Sequence, residues 1–209
     1  MATEVEIKLH LRDAAQIEEI VNDEEIRSFI REDFKRVAMC AKYYDTPDWD
    51  LYKAGFMLRI RSDDERVIVS LKEGTIDKTE NTGLCIRQQW ICETPEIDGA
   101  IEHLIACGAP EKIVELTKGK ELVNVCRDDF TRTSAILYMD EGVVLELAMD
   151  TGVTHAGNKT GDILEMELEV IFGSLNAIRP FCHALGERYG LMPETTTKYE
   201  KSYALATSA

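Results

Sequence analysis

Residues 165–169, Glu165-Met166-Glu167-Leu168-Glu169, alternate carboxylates with apolar side chains. A period of two is typical of a β-strand whose two faces differ, here one charged and one apolar. A single strand of this kind usually presents its charged face to solvent. Three carboxylates along one face, however, raise one another's pKa unless cations lie between them. The segment therefore predicts a sheet in which other strands bring cations to this face.

The other predicted strands carry charge in the same alternating way. Residues 4–8 place Glu4, Glu6 and Lys8 on one strand face. Charged side chains of matching parity on the later strands are Arg59, Arg61, Lys72, Arg87, Glu146 and Asp150. A barrel lined by these faces would set cations between the carboxylates.

The combination of carboxylates and cations indicates phosphoryl chemistry. Carboxylate oxygens without histidine or thiolate are the ligands that Mg²⁺ and Mn²⁺ prefer. Lysines and arginines facing such metals suit a phosphate substrate, because cations neutralise its oxygens while a metal activates a water. The sequence has neither a P-loop nor a G-x-G-x-x-G segment, so strand side chains would have to bind the phosphates. The four histidines show no metal-ligand spacing, and we expect them at the surface or in packing.

The rest of the chain predicts helices at the start, middle and end of a strand-rich sequence. Predicted helices cover residues 13–30, 97–107, 111–125, 174–190 with a bend or break at Pro180, and 194–205. Predicted strands after the first cover residues 38–45, 55–61, 66–72, 84–93, 126–133, 135–140, 143–150 and 163–172. Turns are predicted at residues 46–48, 62–65, 81–83 and 141–142. This order predicts an α+β fold around a largely antiparallel sheet, as a single domain over residues 1–209.

Composition limits the partners and the location. The chain of 209 residues has 24 Lys and Arg against 39 Asp and Glu, a formal net charge of −15. That negative field disfavours nucleic acid and anionic membranes as partners. The six cysteines form no C-x-x-C pair, the N-terminus lacks a signal-peptide pattern, and no run approaches 18 apolar residues. We therefore expect reduced thiols in a cytoplasmic protein.

Several segments, taken in chain order, resemble one known family. Residues 4–8 resemble the E-x-E-x-K motif of the CYTH domain, the domain of the triphosphate tunnel metalloenzymes. The later matches are Tyr43-Tyr44-Asp45-Thr46-Pro47-Asp48, Leu58-Arg59-Ile60-Arg61, Ser70-Leu71-Lys72, Gly83-Leu84 with Arg87, Phe130 with Arg132, Leu145-Glu146-Leu147 with Asp150 and Gly152, residues 165–169, and Thr197-Lys198. The resemblance runs from about residue 3 to residue 205, and within the family it is strongest to the bacterial inorganic triphosphatases.

This resemblance implies a fold and a set of site residues. The implied fold is an eight-stranded antiparallel β-barrel, open as a tunnel, with helices packed outside and a C-terminal helix near one mouth. The implied triphosphate ligands are Lys8, Arg59, Arg61, Lys72, Arg87, Arg132 and Lys198. The implied ligands of two Mg²⁺ or Mn²⁺ ions are Glu4, Glu6, Glu146, Asp150, Glu165, Glu167 and Glu169. Glu4 and Glu6 would also help to orient and deprotonate the attacking water, and Lys198 would act from the short C-terminal helix.

Two positions depart from the family pattern, and one of them is His155, which stands where some bacterial relatives carry a lysine. Gln89 stands where the family commonly carries a glutamate, and its amide would bring no charge to a metal. Trp90 follows it and could stack on a base, but strand parity directs its side chain away from the charged face and favours packing.

The predicted reaction is the hydrolysis of inorganic tripolyphosphate to pyrophosphate and phosphate. The predicted partner is this small molecule, and the protein is expected to be a monomer or a homodimer. Alternatives within the family are thiamine triphosphatase, general nucleoside triphosphatase and class IV adenylyl cyclase. A non-catalytic polyphosphate- or nucleotide-binding module is a further alternative, although a pure anion binder gains nothing from carboxylates beside the phosphate. A structural or adaptor protein is supported by the acidic exterior alone.

Overall fold

A closed β-barrel forms the centre of the protein. The computed structural model describes residues 2–63, 66–74, 76, 82–92 and 97–208. Strands in these residues are β1 (Ala2–His10), β2 (Lys35–Asp45), β3 (Phe56–Ser62), β4 (Val67–Glu73), β5 (Leu84–Cys92), β6 (Val123–Tyr138), β7 (Val144–Ala156), β8 (Lys159–Phe172) and β9 (Met192–Pro193). The first eight close into a barrel in the order β5-β4-β3-β2-β6-β7-β8-β1, because β1 also pairs with β5. Every pair in this barrel is antiparallel, so the predicted α+β fold with an eight-stranded barrel is confirmed.

Helices cover the outside of this barrel. They are α1 (Ala15–Val21), α2 (Glu24–Phe29), α3 (Asp50–Lys53), α4 (Ala100–Ala106), α5 (Lys112–Thr117), α6 (Leu175–Tyr189) and α7 (Lys198–Thr207), with a 3₁₀ turn at Asp140–Gly142. The C-terminal helix α7 lies against β6, β7 and β8. None of the described helices has the length and hydropathy that a membrane span needs.

The larger apolar cluster lies outside the barrel wall rather than within it. Leu147 of β7 and Leu168 of β8 are fully buried against Ile20 of α1 and Leu185 of α6. Because successive side chains of a strand point to opposite faces, the neighbours of these leucines point into the barrel. The register that buries the apolar cluster thus also sends the charged residues inward.

A second apolar cluster covers the other side of the barrel. Leu71 of β4 and Trp90 of β5 are paired across the two strands and pack with Leu104 of α4. The Trp90 side chain is 3% exposed in this cluster, so the predicted packing role on the barrel exterior is confirmed.

Several predicted boundaries are wrong where a polar cap or a glycine intervenes. The helix predicted over residues 13–30 is two helices, because the Asp23 side chain accepts a hydrogen bond from the Ile26 N–H at 2.9 Å and begins α2. The helix predicted over residues 111–125 ends at Thr117. Gly119 adopts a φ of +70°, and the chain then enters β6 at Val123, where it pairs with the end of β2.

The C-terminal half is more continuous than predicted. The two strands predicted over residues 126–140 are one 16-residue strand, and the hairpin from β7 to β8 turns at residues 157–158, a turn that the prediction missed. No break occurs at Pro180, since burial of Ile178, Phe181 and Leu185 along α6 outweighs one missing backbone hydrogen bond. Residues 64, 65, 81 and 93, which fall in predicted turns and at a predicted strand end, lie outside the described residues.

Gly152 is required where β7 passes β6. A Cβ atom at this position would lie 2.1 Å from the carbonyl oxygen of Asp129 and 2.5 Å from the Cα of Phe130. We expect Gly152→Ala to lower the free energy of unfolding by about 2–3 kcal/mol, because backbone must move to admit the methyl group.

Gly186→Ala is the matched control for this substitution. The nearest atom to a Cβ there is the Leu191 carbonyl oxygen at 3.6 Å, and α6 should gain up to about 1 kcal/mol from alanine. Urea denaturation of both variants measures the difference. Equal stabilities would contradict the close approach of β6 and β7.

Candidate active site

A polar cavity occupies the middle of the barrel. All seven cations implied by the family resemblance line it: Lys8, Arg59, Arg61, Lys72, Arg87, Arg132 and Lys198. The carboxylates that line the same cavity among the described residues are Glu4, Glu6, Glu167 and Glu169. The wall of the cavity therefore carries three more positive than negative side chains.

On one side of the cavity, carboxylates of β1 form ion pairs with cations of β4 and β5. Arg87 donates from Nε to Glu4 at 3.0 Å and from a terminal nitrogen to Glu6 at 2.7 Å. The Lys72 ammonium also binds Glu4. Strand register produces this arrangement, since Glu4 lies directly opposite Arg87 across β1 and β5.

On the other side, β6, β7, β8 and α7 converge. Arg132 donates two hydrogen bonds to Asp150, at 2.8 and 2.7 Å, and one to Glu167 at 2.6 Å. The Lys198 ammonium lies 2.8 Å from Asp150 and 3.0 Å from Glu167, and it also binds Glu165. Such charge-assisted bonds are short and strong because both partners are ionised.

These ion pairs decide which buried groups stay charged. Burial opposes the ionisation of Glu4, but Lys72 and Arg87 outweigh it and lower the pKa of Glu4 to about 2. For Glu167, burial is likewise overcome by Lys198, Lys8 and Arg132, which hold its pKa well below the ordinary value. Both carboxylates are therefore anionic at neutral pH.

Glu169 is the exception among these carboxylates. It makes no ion pair within 4 Å with any residue that the structure describes. Burial, followed by the nearby carboxylates of Glu4 and Glu6, raises the pKa of Glu169 to about 7. This corner of the cavity consequently has fewer cations than its carboxylates require.

Arg59 and Arg61 show the opposite imbalance. Neither guanidinium makes an ion pair with a residue in the described ranges, and the Arg59 Nε is buried without a hydrogen-bond partner. Repulsion from Arg59, followed by burial, lowers the pKa of Arg61 to about 10. The two side chains thus present unpaired donors to the cavity, as an anion-binding site requires.

Among the residues that the structure describes, six carboxylates of the barrel form two compact groups. Acidic group 1 consists of Glu4, Glu6 and Glu169, and acidic group 2 consists of Asp150, Glu165 and Glu167. In each group one oxygen per residue lies within 4.8 Å of the others. A set of oxygen donors without nitrogen or sulfur fits a hard divalent cation. Acidic group 1 fits best, because it includes the carboxylate that lacks a protein cation.

Two of the residues discussed from sequence lie on the inward face of their strands but do not line this cavity. Glu146 pairs with Glu169 across β7 and β8, but it belongs to neither acidic group. Gln89 lies opposite Lys72 across β4 and β5 and does not line the cavity. The four histidines, His10, His103, His155 and His183, are exposed as predicted, and all six cysteines are free thiols.

A comparison with protein families accounts for this combination of barrel and charged interior. The family model of the CYTH domain matches residues 2–203. The chain belongs to the CYTH domain family. The match covers nearly the whole sequence and includes every residue implied by the family resemblance.

Solved structures with the same fold agree with this membership. A putative adenylyl cyclase from Hippeastrum, described as having a dominant triphosphatase activity, is 19% identical with a TM-score of 0.60 over 96% of this chain and 95% of that one. A putative adenylate cyclase from Bacillus halodurans is 16% identical with a TM-score of 0.55 over 96% and 98%. The Mimivirus capping enzyme triphosphatase is 9% identical with a TM-score of 0.52 over 90% of each chain. At these identities the likeness concerns the fold.

This CYTH domain also contains a buried polar group that the sequence interpretation did not assign to the site. Tyr43 donates to Asp128 at 2.8 Å, and Tyr199 donates to Asp45 at 3.0 Å. Tyr43 and Asp45 lie in a segment quoted for the resemblance, so that segment was the available signal. Nothing in the sequence pattern distinguished Asp128, whose burial depends on the pairing of β6 with β2.

The two kinds of arginine in this CYTH domain should respond oppositely to substitution. Arg132→Gln would leave the buried Asp150 and Glu167 short of a cation, and we expect a loss of about 3–5 kcal/mol in the free energy of unfolding. Arg59→Gln would instead remove a repulsive charge beside Arg61, and we expect stability to be unchanged or higher.

Thermal or urea unfolding without metal or phosphate measures both effects. The two variants lose the same charge from the same cavity, so each is the control for the other. Equal destabilisation would show that Arg59 has a stabilising partner and would contradict its assignment as an unpaired donor.

Proposed function

We propose that this CYTH domain hydrolyses a triphosphate, with inorganic tripolyphosphate as the preferred substrate and pyrophosphate and phosphate as products. The observation that carries the proposal is the unpaired Arg59 and Arg61 in a cavity whose other charges are largely matched. Inside a barrel, away from bulk water, such donors attract an anion more strongly than they would at a surface. A small triphosphate would supply the missing negative charge.

The two acidic groups support a requirement for Mg²⁺ or Mn²⁺, and their number supports two ions. Acidic group 1 would hold one ion, and acidic group 2 would hold the second. A divalent cation supplies charge neutralisation at phosphate oxygens and lowers the pKa of a bound water. A cation should be stabilised at acidic group 1, because burial, followed by the charges of Glu4 and Glu6, raises the pKa of Glu169 and no described cation pairs with this carboxylate.

Side chains of the barrel and of α7 would bind the substrate, neutralise the leaving group and activate the water. The cavity cations would hold the phosphate oxygens in place and neutralise charge that builds up on the leaving pyrophosphate. Glu4 and Glu6 would orient the attacking water and accept its proton. Lys198, at the start of α7, would close the cavity over the substrate from the C-terminal helix.

A cyclase reaction is the second candidate. It is favoured by the structural neighbours from Hippeastrum and Bacillus halodurans, both described as putative cyclases. The first of these is also described as a triphosphatase, and the Mimivirus neighbour is a capping enzyme triphosphatase. Hydrolysis and cyclisation begin from the same bound triphosphate, so the two reactions are distinguished by their products.

An assay panel tests the proposal. Tripolyphosphate, ATP and thiamine triphosphate would each be incubated with Mg²⁺, Mn²⁺ or EDTA, and phosphate, pyrophosphate and cyclic AMP would be measured. We expect the fastest phosphate release from tripolyphosphate, and we expect EDTA to abolish it because the acidic groups need a cation to act on phosphate.

Each other outcome of the panel would contradict a defined part of the proposal. Turnover that survives EDTA would exclude the metal requirement. Cyclic AMP as the main product from ATP would exclude the hydrolase assignment. Tight binding of tripolyphosphate without turnover under any condition would indicate a polyphosphate-binding module instead.

Glu4→Gln separates catalysis from binding. The substitution keeps the size of the side chain but removes a carboxylate of acidic group 1, so we expect kcat to fall by about 100-fold. Tripolyphosphate should bind at least as tightly as before, because Lys72 and Arg87 lose a competing carboxylate. Steady-state kinetics and calorimetry measure the two quantities. Glu102→Gln on the exposed face of α4 is the control, and near-normal turnover in Glu4→Gln would show that this carboxylate is not at a metal.

Lys72→Ala should weaken the binding of tripolyphosphate, whereas Glu4→Gln should lower kcat. Loss of one charge-assisted contact to phosphate is expected to raise the dissociation constant of tripolyphosphate by about tenfold or more. The measurement is calorimetry at fixed ionic strength, since screening by salt weakens such contacts. An unchanged dissociation constant would place Lys72 outside the substrate contact, with Glu4 as its partner in the bound state as well.

A further inference from the structure

The turn that follows β2 is built around one buried carboxylate. Asp45 is 0% exposed at the end of β2. Its Oδ1 accepts the backbone N–H groups of Thr46 at 2.7 Å and Leu51 at 2.9 Å, and its Oδ2 accepts that of Tyr52 at 2.9 Å. These three bonds fix residues 45–52 as a rigid segment, although Asp45 itself does not line the cavity.

The fourth hydrogen bond of Asp45 goes to another part of the chain. The Tyr199 hydroxyl donates to Oδ2 at 3.0 Å, and Tyr199 is the residue next to Lys198 in α7. Burial, followed by the charge of Asp45, raises the pKa of Tyr199, so the hydroxyl keeps its proton and donates at neutral pH. A bond from a neutral donor to a buried carboxylate is stronger and more directional than a contact between rings.

Aromatic contacts support the same junction. The Tyr199 ring stacks on Tyr43 with centroids 5.0 Å apart, and the Tyr203 ring stacks on Tyr52 at 3.8 Å. Trp49, in the left-handed region with φ of 60°, packs edge-on to Tyr203 at 4.9 Å. A bulky residue keeps this strained conformation where the surrounding contacts over-determine it. Tyr43 and the segment 45–52 therefore form the surface on which α7 packs.

The position of Lys198 depends on the packing of α7 against this surface. Its ammonium reaches three carboxylates, Asp150, Glu165 and Glu167, at the end of a long and flexible side chain. Helix α7 has ten residues, and a helix of that length is marginal in water without tertiary contacts. On a neighbouring face of α7, Ser202 hydrogen-bonds Thr154 of β7 at 2.6 Å, which gives the helix a second polar contact with the barrel.

We propose that Asp45 is a positioning residue, which fixes the rotation of α7 through the Tyr199 hydroxyl and thereby sets the Lys198 ammonium against acidic group 2 and the bound triphosphate. Asp45 acts from outside the cavity and touches no reacting group. The proposed chemistry leaves the segment 43–48 unused, and the inference gives this segment a function in the same site. Its kinetic part rests on the proposed triphosphatase activity, whereas its structural part does not.

The structural part is tested in the protein without ligands. Tyr199→Phe keeps the ring and removes the hydroxyl, and we expect backbone amides of α7 to exchange with deuterium about tenfold faster. Tyr203→Phe makes the same chemical change one turn later, where the hydroxyl has no hydrogen bond to a described residue, and exchange should be unaltered. Equal exchange rates in the two variants would contradict the proposal that the Tyr199–Asp45 hydrogen bond holds α7 in place.

The kinetic part is tested with a double-mutant cycle. We expect Tyr199→Phe to lower kcat/KM for tripolyphosphate by about tenfold in the otherwise unchanged chain, and by less than about twofold in the Lys198→Ala background. A purely structural role would lower activity by the same factor in both backgrounds, and that result would overturn positioning through Lys198. Asp45→Asn should follow Tyr199→Phe in both measurements, but it also disturbs three backbone bonds, so Tyr199→Phe decides the question if Asp45→Asn does not fold.

The two proposals fail separately. If the unchanged protein does not release phosphate from tripolyphosphate, the proposed function is wrong, and the deuterium exchange of α7 still decides whether Asp45 anchors the helix. If tripolyphosphate is hydrolysed and Tyr199→Phe behaves as Tyr203→Phe does, the function stands and the positioning role of Asp45 is wrong.

Discussion

Arg132 donates two hydrogen bonds to Asp150 and a third to Glu167 inside a closed barrel, where an unpaired charge is strongly destabilising. This need for matched charges governs the whole interior. An ordinary barrel of this size fills its centre with apolar side chains. Here the centre is charged, so the apolar clusters lie between the outer faces of the strands and the helices. The helices are therefore necessary for stability, because they cover the apolar surface that the interior does not bury.

The pairing of charges in the cavity is incomplete at two places, and the charges left unpaired there indicate which kind of ligand would fit. Arg59 and Arg61 lack carboxylate partners among the described residues, and Glu169 lacks a cation. A divalent cation beside Glu169 and an anion beside the two arginines would complete both at once. Triphosphate with its metal ions is a ligand of that kind, whereas a metal alone or an anion alone would satisfy one half. The same reasoning explains why acidic group 2, already paired with Lys198 and Arg132, is stable without a ligand.

The net charge of −15 comes from residues outside the site, and most of these residues lie on the exterior. The seven cations and seven carboxylates implied for the site cancel, so taking seven from each total leaves 17 basic and 32 acidic residues elsewhere. A negative exterior disfavours long polyanions such as nucleic acid. It does not oppose a short anion that is held inside, because the local potential there follows the cavity cations rather than the surface.

The sequence alone determined which residues face inward. Strand parity is a local property, so alternation was enough to select Glu6, Lys8, Arg59 and Arg61, to turn Trp90 outward, and to predict an antiparallel α+β fold. The family resemblance supplied the closed barrel. Tertiary structure alone decided which of these charges meet. Glu169 joins Glu6 rather than Glu167 because β1 and β8 pair in a register that sets these two carboxylates opposite one another, and β1 reaches β5 only when the barrel closes. The role of Asp45 was likewise invisible in its strand, since its partner Tyr199 lies 154 residues away and is brought near by folding.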